Sequence, residues 1–179
     1  MTRIFIDPGH GGSNPGAVAA DGLEEADVTL DVALRLGRIL KSEGYEVNYS
    51  RTEDTAVSLA KRAAMANEWG ADYFVSIHCN SNENPVYRGT STYCFRLETP
   101  AAALAYEVNT AVCEAAGTPD LGVMTANFAV LRRTAMPAIL VELAFLSNPE
   151  EAALLSEPVF RENCAIGISN GINRFTGNV

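Results

Sequence analysis

No stretch of the 179-residue chain approaches the ~18 consecutive apolar residues that a membrane-spanning helix needs. Positive charge is also in short supply. Thirteen Lys and Arg stand against 22 Asp and Glu, for a net charge of −9. That balance argues against nucleic acid as a partner, which requires a basic footprint, and against unaided attraction to anionic surfaces. Cysteine is sparse and scattered: Cys79, Cys94, Cys113 and Cys164 form no Cys-x-x-Cys pair. Zinc-ribbon and thioredoxin-type readings therefore lack their spacing, and four mostly buried thiols are expected rather than a disulfide framework. Repeats, low-complexity tracts and linkers are absent. No secretory signal is visible, because strand-like sequence begins at Ile4.

What is present reads as an α/β alternation. The length suits one compact domain over residues 1–179, and the 47% hydrophobic content suits an ordinary globular core. Arg3 to Ile6 reads as a buried strand, followed by a Gly-rich loop from Pro8 to Gly22. From Ala26 to Gly44, apolar residues at Leu30, Ala33, Leu34, Gly37 and Leu40 take helical spacing. Tyr45 to Ser50 is a strand, Ser58 to Gly70 a helix and Asp72 to Ile77 a strand. Asn80 to Gly89 is polar and reads as a loop. Thr90 to Arg96 reads as a strand, and Thr99-Pro100 starts a helix running to about Gly117. Phe128 to Arg132 and Ala138 to Leu143 read as two more strands. Asn148-Pro149 starts another helix, and Val159 to Phe175 is the last. The sum is a single three-layer α/β domain with about six strands.

The chain has only two histidines. His10 follows the first strand and His78 follows the third, so both fall at the carboxyl edge where open α/β sheets bind ligands. A hydrolytic zinc site needs three protein ligands and an open position for water. With two imidazoles available, the third ligand should be a carboxylate. Asp21, Glu24, Glu25 and Asp27 are the candidates after strand one, although acids at the head of a helix also complement its dipole. Glu142 sits inside the most apolar stretch, Pro137 to Leu146. A carboxylate there needs a partner or a raised pKa. It is either half of an ion pair with Arg51 or Arg132, or a general base beside a metal site.

Four ordered blocks carry a family resemblance: Ile6-Asp7-Pro8-Gly9-His10-Gly11-Gly12, Gly22-Leu23-Glu24-Glu25-Ala26-Asp27-Val28, Ser76-Ile77-His78-Cys79-Asn80, and Met136-Pro137-Ala138-Ile139-Leu140-Val141-Glu142. Together with Arg51-Thr52-Glu53-Asp54 and Phe145 to Glu150, they resemble the zinc-dependent N-acetylmuramoyl-L-alanine amidases, amidase type 3. The resemblance covers nearly the whole chain. It implies Zn2+ held by His10, Glu25 and His78, with Glu142 as the catalytic carboxylate. It implies a mixed six-stranded sheet flanked by helices. It further implies cleavage of the peptidoglycan amide between the lactyl group of N-acetylmuramic acid and L-alanine, at the bacterial cell wall outside the cytoplasm. Release by a holin, or export within a longer precursor, would bring the chain there. Both phage lysins and bacterial wall-remodelling autolysins fit the pattern.

Two positions depart from the family pattern. Cys79 replaces the usual Ala after the second histidine; if its strand continues, it points away from His78 and packs. Leu121 replaces a basic residue, which removes a substrate contact from that position. For substrate binding the candidates are Asn80, beside the second histidine, and Arg132, which precedes the Pro-Ala-x-Leu-Val-Glu run. Asp7 is either an orienter of His10 or, preferentially, a turn former. The protein is expected to be a monomer, with wall targeting supplied by a part outside this chain or made unnecessary by abundant substrate. Rival readings are a zinc peptidase acting within the stem peptide, a cell-wall-binding module without turnover, and a structural zinc domain. Glu142 counts against the binding module, and the cysteine spacing counts against the structural domain.

Overall fold

Each segment takes its structure for local reasons. The computed structural model describes residues 1–178. In α1 (Glu25–Ser42), Val28, Val32, Ala33, Leu36 and Leu40 recur at helical spacing and are buried. The Ser58 hydroxyl caps α2 (Leu59–Trp69) by accepting from the Lys61 amide, and Gly70 ends it in a left-handed turn. Thr99 caps α3 (Pro100–Ala116), which stops at Gly117 in the same way. Asn148 accepts from the Glu150 and Glu151 amides to start α5 (Pro149–Ser156). The last helix, α6, spans Pro158–Thr176. No helix among the described residues is long and apolar enough to cross a membrane.

The strands are β1 (Arg3–Pro8), β2 (Glu46–Tyr49), β3 (Tyr73–Asn80), β4 (Thr90–Cys94), β5 (Asp120–Thr125) and β6 (Ala138–Phe145). They form one mixed sheet in the order β2-β1-β3-β6-β4-β5. The first four strands in that order are parallel; β4 is antiparallel to β6, and β5 is parallel to β4. Ile4, Ile6, Val75, Ile77, Ile139 and Val141 pack with α1, α3 and α6 on one face. Phe5, Phe74, Ala138 and Leu140 face α2 and the short α4 (Ala129–Arg133) on the other. Side chains alternate along a strand. Asp7, Ser76, His78 and Glu142 therefore fall on this second face, toward the carboxyl ends of β1, β3 and β6. The mixed three-layer α/β architecture matches the expectation.

Two sequence expectations are corrected. Phe128 to Arg132 is not a strand; Ala129–Arg133 forms α4. A short apolar run carries no decisive period, and here Val130 and Leu131 are buried while the Thr134 hydroxyl bonds back to the Val130 carbonyl. Arg132 and Arg133 are accordingly helical neighbours and not opposite faces of a strand. The strand of this region is β5, which lies at the sheet edge and pairs only with β4. Its exposed positions and Gly122 leave it no apolar alternation to read. The third strand also runs further than expected, so His78 lies within β3 and not beyond it.

Candidate active site

His10 closes β1 and enters the glycine loop with φ 60°, in the left-handed region that few non-glycine residues adopt. A set of buried bonds holds it there. Asp7 is paired with Arg62 at 2.8 Å and accepts from the Ser50 and Ser76 hydroxyls at 2.6 and 2.7 Å. Arg62 reaches on to donate to the His10 carbonyl at 2.7 Å. Asp7 is thus neither a turn former nor a direct partner of the imidazole. It lies in the strand and anchors the arginine that grips the backbone of His10. Arg51 donates to the carbonyls of Gly9 and Ala26 at 2.9 and 2.8 Å and ties the loop to the start of α1.

Glu25 opens α1, is buried, and bridges the two histidines. One oxygen lies 3.1 Å from His10 Nε2, the other 3.0 Å from His78 Nδ1. Of the four acids after strand one, this is the carboxylate that meets the imidazoles. The Ala17 and Cys79 amides also donate to it, at 2.9 and 3.0 Å. Burial alone would push the Glu25 pKa up. The hydrogen bonds from His10 and His78, with the charge of His78, outweigh it and hold the carboxylate well below its usual range. His78 is opposed in the same way: burial favours its neutral form, but the bond to Glu25 and the charge of Glu142 raise it overall.

One ligand atom each from His10, Glu25 and His78 lie within 4.8 Å of one another. Two nitrogens and one oxygen make a good zinc donor set with room for water. The Asn14 side-chain oxygen lies 3.1 Å from His10 Nδ1, where it can fix the ring while Nε2 faces Glu25. Two glycines keep the cluster open. A Cβ on Gly9 would collide with Cε1 of the His78 ring, and one on Gly16 would stand 2.5 Å from Glu25 Oε2. A cavity of about 290 Å³ adjoins the cluster, lined by both histidines, Asn14, Leu59 and Arg62.

Glu142 is the ladder partner of His78 across β3 and β6. Its Oε2 is buried without a hydrogen-bond partner. Burial raises its pKa, the charge of His78 moderates this and that of Glu25 adds to it; the result is a carboxyl pushed up to about 7. The ion-pair reading does not hold. Arg51 is engaged with the glycine loop, and Arg132 donates to Asn127 on the surface of α4.

The profile of the N-acetylmuramoyl-L-alanine amidases matches residues 4–174. The chain belongs to that family. It is 41% identical over 181 residues to the N-acetylmuramoyl-L-alanine amidase CwlM of Bacillus licheniformis, and 42% identical over 177 residues to the sporulation-specific amidase of Bacillus subtilis (strain 168). Each alignment covers 97% of this chain and 68% of the relative. The catalytic domain of CwlV from Bacillus (Paenibacillus) polymyxa var. colistinus superposes with a TM-score of 0.96 at 36% identity, over 100% of both chains. Fold, family and amidase class are those the sequence motifs implied.

Cys79 is buried in the core beneath the site, and burial pushes its thiol well above the usual range, so it packs and does not add a fourth ligand. All four cysteines are free. Asn80 ends β3; its side chain accepts from the Ser81 amide and its carbonyl from Leu146. Neither Asn80 nor Arg132 bonds to the cluster among the described residues. Asn14 and Arg62 escaped the sequence reading. Arg62 left one trace: it shares an inward-facing helical stripe with Ala63 and Ala66, where an arginine is out of place unless paired.

Proposed function

We propose that residues 1–179 act as one catalytic domain, a zinc-dependent peptidoglycan hydrolase. It cleaves the amide between the lactyl group of N-acetylmuramic acid and L-alanine. The observation that carries this reading is the Glu142 carboxylate, with one oxygen buried and unpartnered, directly across the sheet ladder from one member of a His-Glu-His cluster. His10, Glu25 and His78 would hold zinc, which would supply Lewis acidity to the carbonyl and to the attacking water. Glu142 takes a proton from the attacking water as the carbon–oxygen bond forms. It returns that proton to the alanine nitrogen as the carbon–nitrogen bond breaks. One carboxylate serves both steps because the first recharges it for the second. Its raised pKa suits it to hold the proton in between. The products are a lactyl carboxylate and a peptide with a free amino terminus.

Peptidoglycan as substrate places the activity at the bacterial cell wall, outside the cytoplasm. Asn80 and Arg132 are the substrate contacts this reading offers, with the Arg132 guanidinium free to exchange Asn127 for a stem-peptide carboxylate. A wall-targeting part outside the chain supplies the attraction that a net charge of −9 does not.

Mass spectrometry of a defined muramoyl-peptide incubated with the zinc-loaded protein tests the reading. The expected products are the intact peptide with free L-alanine and the free muramic acid sugar. Cleavage within the peptide would make the protein a zinc peptidase; binding without cleavage would make it a wall-binding module.

A further inference from the structure

Ser91 and Glu142 are direct partners in the antiparallel ladder between β4 and β6. Such pairs share a sheet face with Cβ atoms ~4.5–5.5 Å apart, so a side-chain rotation would bring the Ser91 hydroxyl and the Glu142 carboxyl, unbonded to each other in this structure, into contact. Ser91 is fully buried. Its Oγ and the Oε2 of Glu142 are the two buried side-chain polar atoms without a hydrogen-bond partner among the described residues. Buried hydroxyls are ordinarily bonded, and the flanking residues of β4 obey that rule. Thr90 bonds Thr118 and donates to the Leu143 carbonyl, and Thr92 donates to Asn109. Both belong to the opposite face. Ser91 satisfies nothing in the fold, and an alanine would fill its place in the packing.

We propose that Ser91 is a positioning residue for Glu142, its hydroxyl turning to bond the carboxyl in the working enzyme and holding it in the orientation that takes and returns the proton. The inference rests on the reading of Glu142 as proton carrier. Its chemical merit lies in the choice of group. The carboxyl changes protonation state twice per turnover. A guanidinium or ammonium can only donate, and would favour the ionised form. A hydroxyl donates to the carboxylate and, after rotation, accepts from the carboxylic acid. It can therefore follow the proton without trapping it.

The test uses Ser91→Ala, Ser91→Val and Ser91→Thr in the full chain. Valine and threonine have nearly the same shape and differ in the hydroxyl. Zinc content, thermal midpoint, kcat and KM on a defined muramoyl-peptide are measured. So is the carbon NMR resonance of the Glu142 carboxyl in metal-free protein. The Ala and Val variants are expected to lose about 3–10-fold in kcat, the rate equivalent of one hydrogen bond, with zinc and KM unchanged and the resonance displaced. The Thr variant should restore both rate and resonance. In a Glu142→Ala background, Ser91→Val should cost nothing more. Equal rates and resonances for Thr and Val would overturn the proposal, as would an equal loss with and without Glu142. Undiminished turnover by zinc-loaded Glu142→Ala would remove the proton-carrier reading itself, and with it the role of Ser91.

Discussion

His78 and Glu142 stand side by side on parallel strands, one rung of the β3–β6 ladder joining an imidazole of the His-Glu-His cluster to the carboxylate beside it. The sheet fixes the spacing of base and cluster, so loop adjustment need not supply it. Their roles should separate cleanly on substitution. Glu142→Ala is expected to retain zinc and lose roughly 10²–10⁴-fold in rate. Metal analysis paired with turnover on a muramoyl-peptide checks this; full activity at equal zinc content would refute the role.

The ligand residues should behave in the opposite way. His10→Ala and His78→Ala each remove one of three donors and should lose bound zinc together with activity. Dialysis against a chelator followed by zinc titration reads this directly. A variant that turns over with no metal bound would dismantle the site.

Gly9→Ala should resemble His78→Ala, although residue 9 carries no functional group. The added methyl would occupy the place of the His78 ring, so the imidazole must swing away. Weakened zinc affinity with a thermal midpoint near that of the parent is the expected result. Unchanged affinity would show that the loop yields more easily than the ring.

Arg62→Ala should be strongly destabilising. It strands the carboxylate of Asp7 in the interior and releases the carbonyls of Pro8 and His10. Breaking one side of a buried pair costs about 3–5 kcal/mol. Urea unfolding gives the number, and a loss below about 1 kcal/mol, the scale of an exposed pair, would mean the pair is not dry.

Glu142 also imposes a pH dependence on the metal-free protein. Its carboxyl is pushed up to about 7 by burial when folded, against an ordinary value of 4.5. Between those values the native state holds a proton that the unfolded chain has lost. Stability is therefore greatest below the unfolded pKa and falls as pH rises through 7. Glu142→Gln removes the buried charge. It should match the parent near pH 5 and exceed it near pH 8 by about 2–3 kcal/mol. Urea titrations of chelated protein at the two pH values check the sign; a gap that widens toward acid would reverse it.

The sequence displays the cluster because its chemistry is scarce. Two histidines after strand-like runs and one acid inside an apolar stretch are legible without a structure, and the order of the motif blocks assigned Glu25 among four nearby acids. The strands with apolar neighbours were equally plain. The exposed edge strand β5 and the one-turn helix α4 were not, since the first has no buried face to mark it and the second is too short to show a period. Asp7 and Arg62 were hidden for another reason. They meet across 55 positions of sequence, and nothing local to either announces the other.

The order in which the site's parts occur along the chain has a consequence for how the protein is made. His10, Glu25 and His78 all precede β4, whereas Glu142 lies in β6, the last strand in sequence. A chain interrupted before β6 would carry all three proposed metal donors but lack the proposed proton carrier, together with the strand that joins β3 to β4. Under the proposed mechanism, hydrolytic competence would therefore await the last strand in sequence, which enters the sheet between β3 and β4.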